Sequence, residues 1–198
     1  MPHSPRFWRG LSTILALAWL LGWNTSLQAD EAEEALWTAL RSGEAVALIR
    51  HALAPGTGDP AGFKLEDCAT QRNLSEEGRR QARQIGAAFR ENGITSAQVR
   101  SSRWCRCLET ARLLALGPVE PFPALDSFFN QAGRGPAQTT ALREFLSRPH
   151  EGSPRVLVTH QVNITGLTGV VPRSGEMIVV QPTADGDMRV MGRLEPGR

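Results

Sequence analysis

The chain has 198 residues, with 22 Lys plus Arg against 20 Asp plus Glu and a formal charge of +2. Its first 29 residues hold two of those arginines, Arg6 and Arg9, and no acid, so the other 169 (198 − 29) carry no net charge (2 − 2 = 0). A neutral stretch of that length suits one domain with a sizeable core and gives no electrostatic footprint for nucleic acid.

Arg6 and Arg9 precede an apolar segment, Leu11 to about Trp23, which runs into Thr25-Ser26-Leu27-Gln28-Ala29. A basic start, an apolar run short for a bilayer and a small residue before Asp30 describe a secretory signal peptide ending at Ala29. An uncleaved anchor ranks second, because Ser12, Thr13 and Gly22 interrupt the apolar run. The expected organisation is a signal peptide at 1–29 and one exported domain at 30–198, periplasmic or secreted, with no stable membrane span after cleavage. In an oxidising compartment Cys68, Cys105 and Cys107 allow one disulfide and leave one thiol. Cys68 could pair with either of the others, and spacing does not choose. Neither these cysteines nor the scattered histidines have metal-site spacing, so no metal is expected.

Asp30 to Arg41 reads as a helix stopped by Ser42-Gly43, and Ala45 to Ile49 as a buried strand. A Gly/Pro-containing loop runs from Ala52 to about Asn73. Ser75 caps a helix whose apolar positions Ala82, Ile85, Ala88 and Phe89 keep a helical period until Asn92-Gly93. Ala97 to Arg100 is a short strand, Cys105 to Leu116 a helix, and Glu120 to Pro136 irregular. Gln138 to Ser147 is helical, Arg155 to Thr159 a strand ending on His160, and Thr165 to Val170 the start of a helix. Glu176 to Val180 and Met188 to Met191 form a last pair of strands. Strands and helices alternate, which predicts an α/β fold: a three-layer α/β/α sandwich with a mostly parallel central sheet.

Three strand ends carry polar residues: Arg50-His51, Ser102 to Ala111, and His160. Ligands of open α/β sheets bind at such ends, and arginine beside imidazole suits the capture and attack of a phosphate. The order of these residues resembles the histidine phosphatase (phosphoglycerate mutase-like) superfamily, in a small exported form. Arg50-His51 answers that family's Arg-His-Gly. Leu74-Ser75-Glu76-Glu77-Gly78-Arg79-Arg80-Gln81-Ala82 answers its Leu-Thr-x-x-Gly-x-x-Gln-Ala, and Ser102, Arg106, Thr110 and Ala111 its Ser-x-x-x-Arg-x-x-x-Thr-Ala. His160-Gln161 answers its final His-Gly, and the four matches span Ala47 to Gln161.

The resemblance implies a phosphomonoesterase that needs no cofactor, with His51 as a nucleophile forming a phosphohistidine. It implies that Arg50 and Arg106 clamp the phosphoryl oxygens and that His160 adds charge. Asn73 or Thr57 would add hydrogen bonds, and Gln161, at the glycine position, would stand at the rim. Ala52, also at a glycine position, is expected to narrow the space near the phosphate. The proton for the leaving oxygen is assigned to Asp126, with Asp59, Glu109 and Glu176 as rivals. The expected partner is a phosphorylated small molecule or an envelope glycan, such as a lipopolysaccharide core sugar phosphate. Two other readings remain: a phosphate-binding module without turnover, and a thiol redox protein built on Cys105 and Cys107.

Overall fold

A computed structural model describes residues 28–148 and 152–196. The expected signal peptide therefore lies, apart from its last two residues, outside the described residues. The chain divides into Met1–Ala35 and a body, Leu36–Arg198. Helix α1 occupies residues 28–41.

The body holds six strands: β1 (Val46–Arg50), β2 (Gln98–Ser101), β3 (Val119–Pro121), β4 (Arg155–Thr159), β5 (Met177–Pro182) and β6 (Met188–Leu194). They form one sheet in the order β3-β2-β4-β1-β5-β6. β4 runs parallel to both β1 and β2, and β3 parallel to β2, while β5 and β6 add an antiparallel pair. Helices α2 (Glu76–Glu91), α3 (Cys105–Leu113), α4 (Gly135–Ser147) and α5 (Gln161–Thr168) complete the fold.

Strand alternation sorts the core into two layers. On one face Ala47, Ile49, Val99, Val156 and Val158 pack with Trp37 and Leu40 of α1, Ile85 and Phe89 of α2, and Ala111 of α3. On the other, Val46, Leu48 and Leu157 pack with Leu142 and Leu146 of α4 and Ile164 and Leu167 of α5. The three-layer α/β/α sandwich with a mostly parallel sheet is therefore present. Helix α2 starts as the sequence requires: Ser75 Oγ accepts from the Gly78 amide at 3.0 Å, and Glu76 and Glu77 occupy the first turn. Gly78 itself answers a packing need, since a Cβ there would lie 2.1 Å from the Leu53 carbonyl oxygen. The helix thus presses directly on the segment that follows His51.

Two stretches differ from expectation. The region expected to be irregular from Glu120 overlaps β3 (Val119–Pro121), whose pairing with β2 outweighs a sequence interrupted by prolines. Helix α5 begins at Gln161 rather than Thr165, immediately after His160. Among the described residues no helix is long and apolar enough to cross a membrane.

Candidate active site

Because β1, β2 and β4 are parallel neighbours, their C-terminal ends open on one edge. The register aligns Arg50 with Thr159 and Ser101 with Val158, which brings His51, Ser102 and His160 side by side. The His51 and His160 rings meet edge to face with centroids 5.5 Å apart. Around them lies a cleft of about 220 Å³ lined by Arg50, His51, Asp59, Arg72, Trp104, Arg106, His160 and Gln161, with Thr57, Phe63, Phe129 and Arg134 farther along its walls.

His51 is buried, and its Nδ1 lies 2.8 Å from the Ala52 carbonyl oxygen. A carbonyl can only accept, so Nδ1 carries the hydrogen and Nε2 keeps its lone pair. Burial first, then the charges of Arg106, Arg72 and Arg50, push the His51 pKa down to about 3 against the smaller opposing effect of the Ala52 bond. His51 is therefore held neutral.

Arg106 is equally buried and holds a two-pronged ion pair with Asp59, Nη1 to Oδ1 at 2.7 Å and Nη2 to Oδ2 at 3.1 Å. Asp59 also accepts from the Trp104 indole at 3.0 Å and the Arg72 amide at 3.1 Å. Burial raises the Asp59 pKa, but the bonds and charge from Arg106, with those of Arg72 and Trp104, prevail and hold it below the usual range. Arg72 spans the loop by donating to the Gly58 carbonyl at 2.6 Å and to the Ala54 carbonyl. Burial and then the Arg106 charge lower the pKa of both Arg50 and Arg72. The Nε atoms of Arg50 and Arg106 are buried without a hydrogen-bond partner.

His160 faces Arg106 through Nδ1 at 3.5 Å and Ser102 Oγ through Nε2 at 2.8 Å. Since a guanidinium only donates, Nδ1 accepts and Nε2 donates to the hydroxyl. Burial first, then His51 and the three arginines, keep the His160 pKa well below the ordinary histidine value.

The motif residues outside the cleft brace it. Thr110 Oγ1 accepts from the Ala52 amide at 3.1 Å and donates to the Arg106 carbonyl at 2.7 Å, tying the β1 exit to α3. Gln81 accepts from the Leu53 amide at 3.0 Å and donates to the Ser174 carbonyl at 2.9 Å. Cys68 and Cys105 form a disulfide, which joins the long loop to the start of α3. Cys107 stays a free thiol, 3.4 Å from His160 Nε2, with its pKa pushed up to about 12 by burial. Cys105 is thus bonded to Cys68 and not to Cys107, the pair on which the redox reading was built.

Three expectations need correction. Asp126 lies off the cleft: its carboxylate accepts from Arg103 Nη2 at 2.6 Å, Arg103 Nε at 2.8 Å and the Arg103 amide at 2.9 Å. Through Ser102, 3.4 Å away, it supports His160 instead of reaching a leaving group. Asn73 also turns away, donating to the Cys68 and Gln71 carbonyls. Ala52 does not narrow the cleft, because its methyl packs with Ala54, Leu74 and Ala82. Arg103, which had no expected role, is the Asp126 partner. Of the rival acids, Glu109 pairs with Arg79, and Glu176 is held by the Arg173 amide and Arg193. Only Asp59 among the four carboxylates lines the cleft.

A family model described as histidine phosphatase superfamily (branch 1) matches residues 46–151. The chain belongs to the histidine phosphatase superfamily. Solved structures with the superfamily's fold agree. The protein histidine phosphatase SixA, complexed with tungstate, is 19% identical with a TM-score of 0.54, covering 77% of this chain and 97% of its own. Phosphoserine phosphatase from Entamoeba histolytica, in complex with 3-phosphoglyceric acid, is 14% identical with a TM-score of 0.56, covering 77% and 98%. A mycobacterial glucosyl-3-phosphoglycerate phosphatase is 14% identical with a TM-score of 0.53, covering 74% and 96%. No curated protein matches this chain. As a histidine phosphatase superfamily member it carries Arg50, His51 and His160 at strand ends and Arg106 in the first turn of α3, in family order. Arg72 and the Asp59–Arg106 pair were not legible as site features. The only signal for Arg72 was one more arginine beside the Leu-Ser-x-x-Gly motif.

Proposed function

We propose that this protein is a phosphatase that takes the phosphoryl group of a phosphomonoester onto His51 and releases it to water. The observation that carries this reading is the neutral His51 ring, its Nδ1 bound to the Ala52 carbonyl and its free Nε2 among three arginines. Nε2 attacks phosphorus as the ester oxygen departs and takes up a proton from solvent in the cleft, and water then breaks the P–N bond, giving inorganic phosphate and returning a proton to solvent. Arg50 and Arg106 stabilise the equatorial oxygens, with unpaired Nε groups ready to donate, and Arg72 adds a third charge. His160 contributes a neighbouring imidazole. No step in this sequence calls for a metal.

The physiological substrate we assign is an envelope phosphate, such as a lipopolysaccharide core sugar phosphate, met after export. The signal-like N-terminus and the Cys68–Cys105 disulfide support that compartment. A second reading, a phosphate-binding module without turnover, draws on the Asp59 carboxylate already seated on the Arg106 fork.

Incubation with nitrophenyl phosphate in EDTA, followed by alkaline denaturation and detection of acid-labile phosphate on His51, separates the two. Turnover with labelled His51, both lost in His51→Ala, is the expected result. Bound phosphate without hydrolysis across a broad ester panel would establish the module, and loss of activity with EDTA would refute the metal-free route.

A further inference from the structure

We propose that the substrate carries a second anionic group, received by Arg134, on a body whose apolar face, such as the face of a sugar ring, lies against Phe129. This inference rests on the phosphatase reading above and extends it to the substrate's shape and charge. Three arginines, Arg50, Arg72 and Arg106, line the inner cleft with one carboxylate, Asp59, and two neutral histidines, a net +2 (3 − 1). A phosphomonoester brings close to −2 above its second pKa of about 6. The inner charges therefore close on the phosphoryl group alone.

Arg134 is the charge left over. It lines the same cleft, is exposed, and forms no ion pair among the described residues; Nη1 donates to Gln131 Oε1 at 2.9 Å on the same wall. Close to it in sequence, Phe129 is 54% exposed, one of two large apolar side chains so exposed among the described residues. Its ring flanks the turn at Gly58, where a Cβ would stand 3.9 Å from Cε1. An exposed aromatic is unremarkable alone, but here it lines the same cleft as a guanidinium with no ion pair among the described residues. That combination suits a ligand with an apolar face and an anionic end.

The test compares 4-carboxyphenyl phosphate with 4-carbamoylphenyl phosphate, which differ in the charge of one group. The expected wild-type ratio of kcat/KM favours the carboxylate about threefold to fivefold, the scale of an exposed ion pair. Arg134→Gln should bring that ratio near one, Arg134→Lys should restore part of it, and Phe129→Ala should raise KM for both substrates. Molar salt should shrink the wild-type preference. A wild-type ratio near one, or a preference that survives Arg134→Gln, overturns the inference while leaving the phosphatase intact. Failure to hydrolyse either ester overturns the phosphatase reading and this inference with it.

Discussion

At the scale of single residues the cleft is a balance of charge in which Asp59 matters as much as any cation. Its carboxylate holds both prongs of Arg106 and offsets one of three inner positive charges. Asp59→Asn should therefore tighten product binding: we expect the inhibition constant of inorganic phosphate to fall about threefold to tenfold, measured by steady-state inhibition. An unchanged constant would mean that Asp59 does not set the inner charge. Asp126 acts at one remove, through Ser102 and Arg103. Asp126→Asn should slow alkyl and nitrophenyl phosphates by similar factors, whereas a selective loss on the alkyl ester would return it to the role of acid. Residues at strand ends were legible in the sequence because an apolar run that halts on Arg50-His51 or His160 fixes their place. Loop residues were not, because an irregular backbone has no period to say which side chain faces inward. Asn73 and its neighbour Arg72 show this: loop position points to Asn73, whereas Arg72 is the one that lines the cleft.

At the scale of elements, caps and periodicity made α2 and β4 readable, whereas β3 owes its existence to a neighbour the sequence does not display. The motif glycine and threonine proved to be joints rather than ligands. Gly78→Ala should destabilise the chain by roughly 1–3 kcal/mol, the usual cost of overpacking, and should cut activity by shifting the segment after His51. Thermal melting alongside kcat reads both effects. The disulfide closes a loop with a sequence separation of 37. A chain-entropy estimate gives it roughly 3–4 kcal/mol. Reduction should accordingly lower the Tm by about 10 °C, and Cys68→Ser should reproduce the loss without reductant.

At the scale of the whole molecule, two buried neutral histidines make stability depend on pH. An unfolded histidine binds its proton near 6.5, but folded His51 does so only near 3 and His160 also well below the ordinary value. Between these limits the unfolded chain holds more protons, so stability is fullest above about 6.5 and declines as pH falls. Melting curves from pH 7 to pH 4 should show a steadily falling Tm, with a shallower slope in His51→Asn. A flat profile would contradict the buried neutral rings. Because His51 stays unprotonated through this range, the acid limb of activity should follow the substrate phosphate, near pH 6, until unfolding intervenes.

The strand order carries a consequence for how the protein gains its activity. β4 comes after β1 and β2 in the chain but lies between them in the sheet. Until β4 inserts between them, β1, which leads to His51, and β2, which leads toward Arg106, are not held at the two-strand separation of about 10 Å that the finished sheet gives them. During refolding, turnover should return only with the slowest phase of tryptophan fluorescence, and fragments ending before Arg155 should be inert. Synthesis from the N-terminus thus leaves the growing chain without an assembled cleft until β4, which begins at residue 155 of 198, has been made.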